Sequence, residues 1–202
     1  DKRTGPPRIQ AFRADGEYLY GFAPKGIRAD RVMDTRGMAF NSTQQLYIGD
    51  IDNIRVSVFE HSGEFIQTIG HKGALPGELN MPYGLTLDSN DDLFVASYFG
   101  PCQKFTSDGH FLFAFSYGNP PDGPIYFTDI ASDKWGNVYV IVKGAQNLDG
   151  EYEIVKDSEG NHVDIMKYNN NGDFITNIQL SKEDRKAQRL FVDEYGKILV
   201  LF

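Results

Sequence analysis

One stretch of the sequence, residues 46–66, concentrates side chains that could do chemistry. Asp50, Asp52, Asn53 and Arg55 follow one another closely there, between apolar runs that alternate as strands. Carboxylates beside an amide and a guanidinium make this stretch a candidate site. Pieces of it recur three more times along the chain, and comparing the copies favours a structural role. We expect these side chains to form a corner that ties two strands together.

Metal chemistry has little support in the sequence. His61 and His110 fall in predicted turns, His162 ends an insertion, and only His71 lies in a link between repeats. Catalytic zinc needs about three converging protein ligands, which one well-placed histidine does not supply. Residues 88–92 superficially resemble a calcium loop, but the glycine and glutamate of that motif are absent. No nucleophile-elbow, Walker or dinucleotide fingerprint is present either.

Composition narrows the classes of partner. The net charge is −8, with 20 Lys and Arg against 28 Asp and Glu, and binding a phosphate backbone needs a basic surface. We therefore expect no nucleic-acid partner. No apolar run approaches the length of a transmembrane helix, so no membrane span is predicted. Cys102 is the only cysteine, and it is expected to be a small buried residue.

An internal repeat of about 46 residues organises the chain. A hairpin whose turn contains a glycine occurs four times. Glycine supplies the positive φ that such turns need, and the small polar residue before it tolerates a left-handed backbone. One longer interval is explained by an insertion at residues 143–162. The four turn glycines are Gly16, Gly63, Gly109 and Gly172.

Four strands in each repeat predict an all-β fold, a β-propeller of four-stranded antiparallel blades. We name the strands of a blade A to D from the axis outward. The chain forms a single domain, 1–202, of about four blade equivalents: three whole blades and two halves. The predicted parts are a C–D hairpin at 8–22, blades at 36–70, 82–117 and 127–180, and an A–B hairpin at 187–202.

The repeats resemble those of the NHL family of β-propellers. Residues 47–59, YIGDIDNIRVSVF, match the family's aromatic-Val-x-Asp and Asn-x-Arg-Ile pattern, and residues 81–88, MPYGLTLD, match its Pro-x-Gly start. The resemblance covers residues 8–202, but unevenly. The blade at 82–117 carries Ser97 to Gly100 in place of the Asp and Asn and lacks the Arg, and the blade at 127–180 departs further.

Relatives in this family usually have six blades, which implies a longer chain than this one. The favoured interpretation is that residues 1–202 are a fragment of a six-bladed ring. The alternative is a four-bladed ring, closed by pairing the N-terminal C–D hairpin with the C-terminal A–B hairpin.

The resemblance also indicates where ligands bind. The A–B and C–D turns of a propeller share one face, whereas the B–C corners and interblade links share the other, around the mouth of the channel. The repeat aligns four residues at the start of strand A, where they would line the channel: Arg36, Tyr83, Thr128 and Gln188. The other predicted ligand- or partner-binding residues are His71, Tyr98, Tyr126 and Tyr152. The 143–162 insertion lies on the same face, either as a partner-binding element or as an acidic decoration.

These features favour a non-catalytic propeller module that binds a protein, peptide or glycan, or that scaffolds a larger assembly. The alternative is a metal-dependent propeller enzyme, a lyase or a lactonase-type hydrolase, with its site at the channel mouth near His71 and Asp50. No catalytic residue and no cofactor are predicted, and a calcium or zinc ion in the channel stays an open alternative. Bacterial relatives are often exported, so an extracellular or periplasmic location is expected.

Overall fold

A computed structural model describes residues 5–116, 125–146, 152–153, 155–157, 159–160, 162–180 and 187–202. These residues form seventeen β-strands, and none of them is helical. An antiparallel first hairpin consists of Pro7–Phe12 (β1) and Tyr18–Pro24 (β2). A last hairpin consists of Arg189–Val192 (β16) and Ile198–Leu201 (β17).

Three antiparallel blades lie between the hairpins, each in strand order A to D. The first blade contains Thr35–Phe40 (β3), Leu46–Asp50 (β4), Arg55–Phe59 (β5) and Phe65–Ile69 (β6). The second contains Pro82–Leu87 (β7), Leu93–Ser97 (β8), Cys102–Phe105 (β9) and Phe111–Phe115 (β10). The third contains Ile125–Ser132 (β11), Val138–Gln146 (β12), Ile165–Tyr168 (β14) and Phe174–Ile178 (β15), with Tyr152–Glu153 (β13) paired to β12. The predicted blade architecture is therefore confirmed. The strands β1 and β17 belong to separate sheets.

The turns between strands A and B share one hydrogen-bonding device. Asp88 and Asp133 each begin such a turn, and one carboxylate oxygen of each accepts the backbone amides two and four residues further on. A side chain that accepts the amides of its own turn in this way stabilises the loop locally. Residues 88–92 are therefore a strand connection, as predicted from their departure from the calcium-loop motif.

The apolar core lies between neighbouring blades. One cluster joins Phe94 and Cys102 of the second blade to Val140 and Met166 of the third. Every residue of β4 and β8 is buried, because a blade's inner strands are covered on both faces, whereas the outer strands β6 and β10 alternate. Each blade thus needs its neighbour to complete its core.

Candidate functional site

Strand A of each whole blade contains an irregular pairing with strand B. Arg36, Tyr83 and Thr128 are each left out of the ladder that joins strand A to strand B. A bulge of this kind re-aims a side chain and is common next to binding sites. The three residues that the repeat aligns therefore share one backbone irregularity in three consecutive blades.

Four aromatic rings meet at this end of the second blade, and we call them the aromatic cluster: Tyr83, Tyr98, Phe99 and Tyr126. Tyr98 is its centre, with ring centroids 4.8 Å from Tyr83, 5.0 Å from Phe99 and 5.1 Å from Tyr126. Tyr126 is buried, whereas the other three rings are partly exposed. The cluster thus offers aromatic surface to solvent above a buried base.

A cation lies over one edge of the aromatic cluster. The guanidinium carbon of Arg36 is 5.6 Å from the centroid of the Tyr83 ring, within the range of a cation–π interaction. The same side chain lies 3.7 Å from a carboxylate oxygen of Asp34 and is largely exposed. Arg36 therefore reaches from the first blade to the aromatic surface of the second.

The backbone around the aromatic cluster is pinned by the interblade link. The amides of Tyr98 and Phe99 donate to the carbonyl oxygens of Met81 and Asn80 at 2.9 Å and 3.4 Å. Close packing of strand A against the next blade also requires Gly84, since a Cβ there would lie 2.8 Å from the Asp129 Cα. These constraints hold the ring-bearing segments on rigid elements, as a preformed site requires.

A central cavity of about 310 Å³ lies where strands A of the three blades and of the last hairpin converge. Arg36, Arg189 and Asp129 are among its lining residues, together with Thr86 and Ser132. Tyr83, Thr128 and Gln188 are not among them, because Tyr83 joins the aromatic cluster and Thr128 has a buried hydroxyl. Of the four residues that the repeat aligns, Arg36 alone is among the residues that line this cavity, and Asp129 and Arg189 come from the position one residue further along strand A.

Asp129 is a buried carboxyl in this cavity. Burial raises its pKa, against the opposing effects of backbone amide donors at Leu190 and Ile130 and of the Arg189 charge. Its Oδ2 accepts the Leu190 amide at 2.8 Å. The carboxyl therefore ties the third blade to the last hairpin, next to the cationic groups of the cavity.

The remaining predicted site residues lie outside the aromatic cluster. His71 is exposed, with its Nε2 3.4 Å from a carboxylate oxygen of Glu78. Gln188 is exposed, its amide donates to the Leu201 carbonyl oxygen and its carbonyl oxygen accepts a bond from Arg189. Tyr152 lies in β13 and pairs with β12 through the backbone. Much of the 143–162 insertion around it, including residues 147–151, lies outside the described residues.

The polar corner of the first blade is a structural lock, which confirms the sequence-based expectation. Asp50 is fully buried, and its carboxylate accepts the amides of Met33, Asp34 and Asn53. Arg55 donates to carbonyl oxygens of the preceding link, at Arg28 and Arg31. Both Asp50 oxygens are occupied by these bonds. Within the described ranges, no three His, Cys, Asp or Glu side chains are grouped so that they could hold a metal ion.

From the sequence, Glu78 and Phe99 were expected on the ligand-binding face but were not chosen as binding residues, and Asp129 was not considered. Phe99 and Asp129 each follow a residue that was predicted from the sequence, Tyr98 and Thr128, so the repeat alignment missed them by one position. A bulge in strand A decides which of two consecutive residues lines the cavity and which lies on the ligand-binding face. A bulge has no reliable signature in a single sequence.

No protein-family model matches the chain, and no curated protein sequence matches it. Solved structures do match, and the three described here are at most 20% identical to this chain. The chain has a β-propeller fold. A putative exported protein from Bacteroides fragilis is 16% identical with a TM-score of 0.60, over 84% of this chain and 45% of that one. Virginiamycin B lyase from Staphylococcus aureus, in a catalytically inactive form with quinupristin, is 14% identical with a TM-score of 0.52, over 90% of this chain and 66% of that one.

A nidogen–laminin complex provides a third similar structure, 20% identical with a TM-score of 0.54, over 83% of this chain and 56% of that one. This chain spans between 45% and 66% of the length of the three structures. Identities this low establish the fold alone. None of the described residues forms a helix long and apolar enough to cross a membrane.

Proposed function

We propose that this chain is a non-catalytic binding module and that its aromatic cluster, with Arg36, is the binding site for a protein or peptide segment. The observation that carries this proposal is the meeting of four rings from β7, the β8–β9 corner and β11, with the Arg36 guanidinium over one of them, Tyr83. Rings that are partly exposed on a rigid base offer contact area at a low cost in side-chain entropy.

The composition of the site supports a polypeptide ligand. Tyrosine and arginine are enriched among the residues that contribute most to protein–protein binding. Tyr83 and Tyr98 supply flat apolar surface and hydroxyl groups, and Arg36 supplies donors for a carbonyl or carboxylate of the ligand. Glycans also stack on aromatic rings. Binding of a glycan instead of a peptide would change the proposed class of ligand.

The proposal also covers the protein's repeat family, its number of blades and its cellular location. The corner motif at residues 47–59 supports membership of the NHL-type propellers, and the six-bladed count stays a prediction. A location outside the cytoplasm is supported by the fold's occurrence in a putative exported protein. The insertion at 143–162, with Tyr152, is proposed as a second contact region on the same face.

The test is selection of peptides from a displayed library on the purified chain, followed by affinity measurement on variants. Tyr98→Ala removes the centre of the aromatic cluster and is expected to weaken binding about tenfold or more, as for a central aromatic contact. Tyr195→Ala is the matched control, because Tyr195 is 80% exposed in the β16–β17 turn. Peptides that bind Tyr98→Ala as well as the parent would contradict the proposal, and binding only to a glycan array would replace the ligand class.

A further inference from the structure

The first and second blades treat the same place differently. In the first blade, Arg55 of the B–C corner donates to the carbonyl oxygens of Arg28 and Arg31. The Nδ2 of Asn53 donates to the Gly26 carbonyl oxygen at 3.0 Å. The corner's side chains therefore fill the space between the corner and the link, and they satisfy that link's acceptors.

The second blade has an equivalent link. A parallel bridge joins Lys72 to Leu79 there, as one joins Lys25 to Val32 before the first blade. This equivalence aligns the link residues pairwise: Gly73 with Gly26, Leu75 with Arg28, and Glu78 with Arg31. The two links therefore present the same pattern of carbonyl oxygens to their corners.

The second corner lacks the groups that would meet those oxygens. The pairing of Val95 with Gln103 sets Pro101 opposite Ser97, where the first blade has Arg55 opposite Asp50. The Gln103 side chain bonds to the link, donating to the Glu78 carbonyl oxygen at 2.6 Å and accepting the Gly77 amide at 2.8 Å. In the described part of the chain, no side chain donates to the carbonyl oxygens of Gly73 or Leu75.

The result is an open groove of about 340 Å³ between link and corner, which we call the link groove. Its lining includes Leu75, Pro76, Glu78, Ser97 and Phe99. Ser97 is 1% exposed, and its hydroxyl has no hydrogen-bond partner among the described residues. A buried polar group of this kind calls for a ligand or water to satisfy it.

Charge in the link groove favours a cation. The Glu78 carboxylate is held against the link, where its Oε2 accepts the Leu75 amide at 2.9 Å. That bond, with further help from the Ala74 amide and His71, lowers the Glu78 pKa. Backbone carbonyls and an ionised carboxylate only accept hydrogen bonds, and a serine hydroxyl can accept one too, so the partner that suits this groove is a positively charged hydrogen-bond donor.

We propose that the link groove binds an arginine side chain of a protein partner, whose guanidinium takes the part of the Arg55 position that Gln103 leaves open, beside the Leu75 carbonyl oxygen. A planar guanidinium has five donors and no acceptor, which suits dispersed carbonyl oxygens beside a carboxylate. The Phe99 ring at the groove gives it a face for stacking. This site lies beyond the aromatic cluster in the proposed function, and the two share only Phe99.

The test titrates the full chain with the peptide acetyl-Gly-Arg-Gly-amide and with the same peptide carrying citrulline, followed by NMR. Citrulline keeps the shape of arginine but not its charge. The arginine peptide is expected to bind roughly tenfold more tightly, as for a charge-assisted contact. Pro101→Arg rebuilds the lock of the first blade from within and is expected to remove this preference, whereas Pro101→Ala leaves the groove open and keeps it.

Thermal unfolding of Pro101→Arg at or above the parent's temperature shows that any loss of binding is not a loss of fold. Equal binding of the two peptides, or undiminished arginine binding by Pro101→Arg, overturns the proposal. Tyr83→Ala separates it from the proposed function, because that variant is expected to lose library peptides of the aromatic cluster but to bind the arginine peptide unchanged. If Tyr83→Ala loses the arginine peptide, the arginine binds at the aromatic cluster, and the proposal for the link groove is wrong.

Discussion

Asp50 and Ser97 stand at the same place in consecutive blades and are both buried, yet their environments are opposite. Asp50 accepts amide donors from the link and from its own corner, whereas Ser97 has no partner among the described residues. A side chain's contribution here depends on the donors that meet it, not on its burial. Position in the repeat therefore does not fix a residue's energetic role.

The first prediction compares these two residues. Asp50→Ala leaves buried amides of the link without an acceptor and is expected to lower the free energy of unfolding by about 3 kcal/mol. Ser97→Ala removes a hydroxyl that makes no bond and is expected to change it by less than about 0.5 kcal/mol. Urea denaturation of both variants measures the difference. Equal destabilisation by the two variants would contradict the assignment of Asp50 as the lock.

A second prediction concerns the buried carboxyl of Asp129 and pH. Because burial raises its pKa in the folded protein, the folded state holds this proton more tightly than the unfolded chain does. Its contribution to stability is therefore fully present below the ordinary carboxyl pKa and is lost as pH rises through the raised value. Asp129→Asn cannot ionise. Its stability relative to the parent is expected to be greater at pH 7 than at pH 4.

Melting temperatures of the parent and Asp129→Asn across this pH range measure the effect. Asp52→Asn, a change at an exposed corner residue, controls for the loss of one negative charge. A gain for Asp129→Asn that grows as pH falls would have the wrong sign and would rule out the buried-carboxyl explanation.

At the scale of elements, Lys104 couples a strand to turns of two blades. The ammonium of this β9 residue lies 2.9 Å and 3.0 Å from carboxylate oxygens of Asp88 and Asp92, and it donates to Asn170 of the third blade at 3.0 Å. The Asp88 contact is an ion pair without hydrogen-bond geometry, since that oxygen has no hydrogen-bond partner in the described part of the chain. Lys104 is 5% exposed, so the pair is poorly screened.

The third prediction is that Lys104→Met lowers the free energy of unfolding by about 3 kcal/mol, since it leaves buried carboxylate without its cation. Lys134→Met is the matched control, because Lys134 is exposed in the β11–β12 turn, and it is expected to change stability by less than about 0.5 kcal/mol. Denaturant unfolding compares the two. A Lys104→Met variant as stable as its control would show that packing alone joins these turns.

The hairpins were predictable because their signals are local. Turn glycines, small polar residues before them and alternating strands recur at a fixed interval, so the blades could be placed from the sequence. The role of Lys104 could not, since a lysine in a strand has the same pattern whether it faces solvent or a pair of turns in the folded blade. The same holds for the bulge at Tyr83, which depends on how Gly84 packs against Asp129 of the next blade.

For the molecule as a whole, the candidate site combines residues that are distant in sequence. Arg36, Tyr83, Tyr98 and Tyr126 were each selected from the sequence, and the structure brings these four together. Their mutual distances depend on the angle between blades, which no single repeat encodes. The link groove is a different case. The sequence shows that the second blade lacks an equivalent of Arg55, but only the folded structure shows that a groove lies there.

The last prediction follows from cores that lie between blades. Phe94 of the second blade and Val140 of the third share one cluster, and Trp135 of the third packs on Gly196 of the last hairpin. A blade cannot lose its neighbour without exposing its own core, so unfolding should be cooperative across blades. Urea transitions followed by Trp135 fluorescence and by far-UV circular dichroism are expected to coincide. Val140→Ala should shift both by the same amount, whereas a fluorescence transition that stays in place while the dichroism shifts would show that the last hairpin and the blades unfold separately.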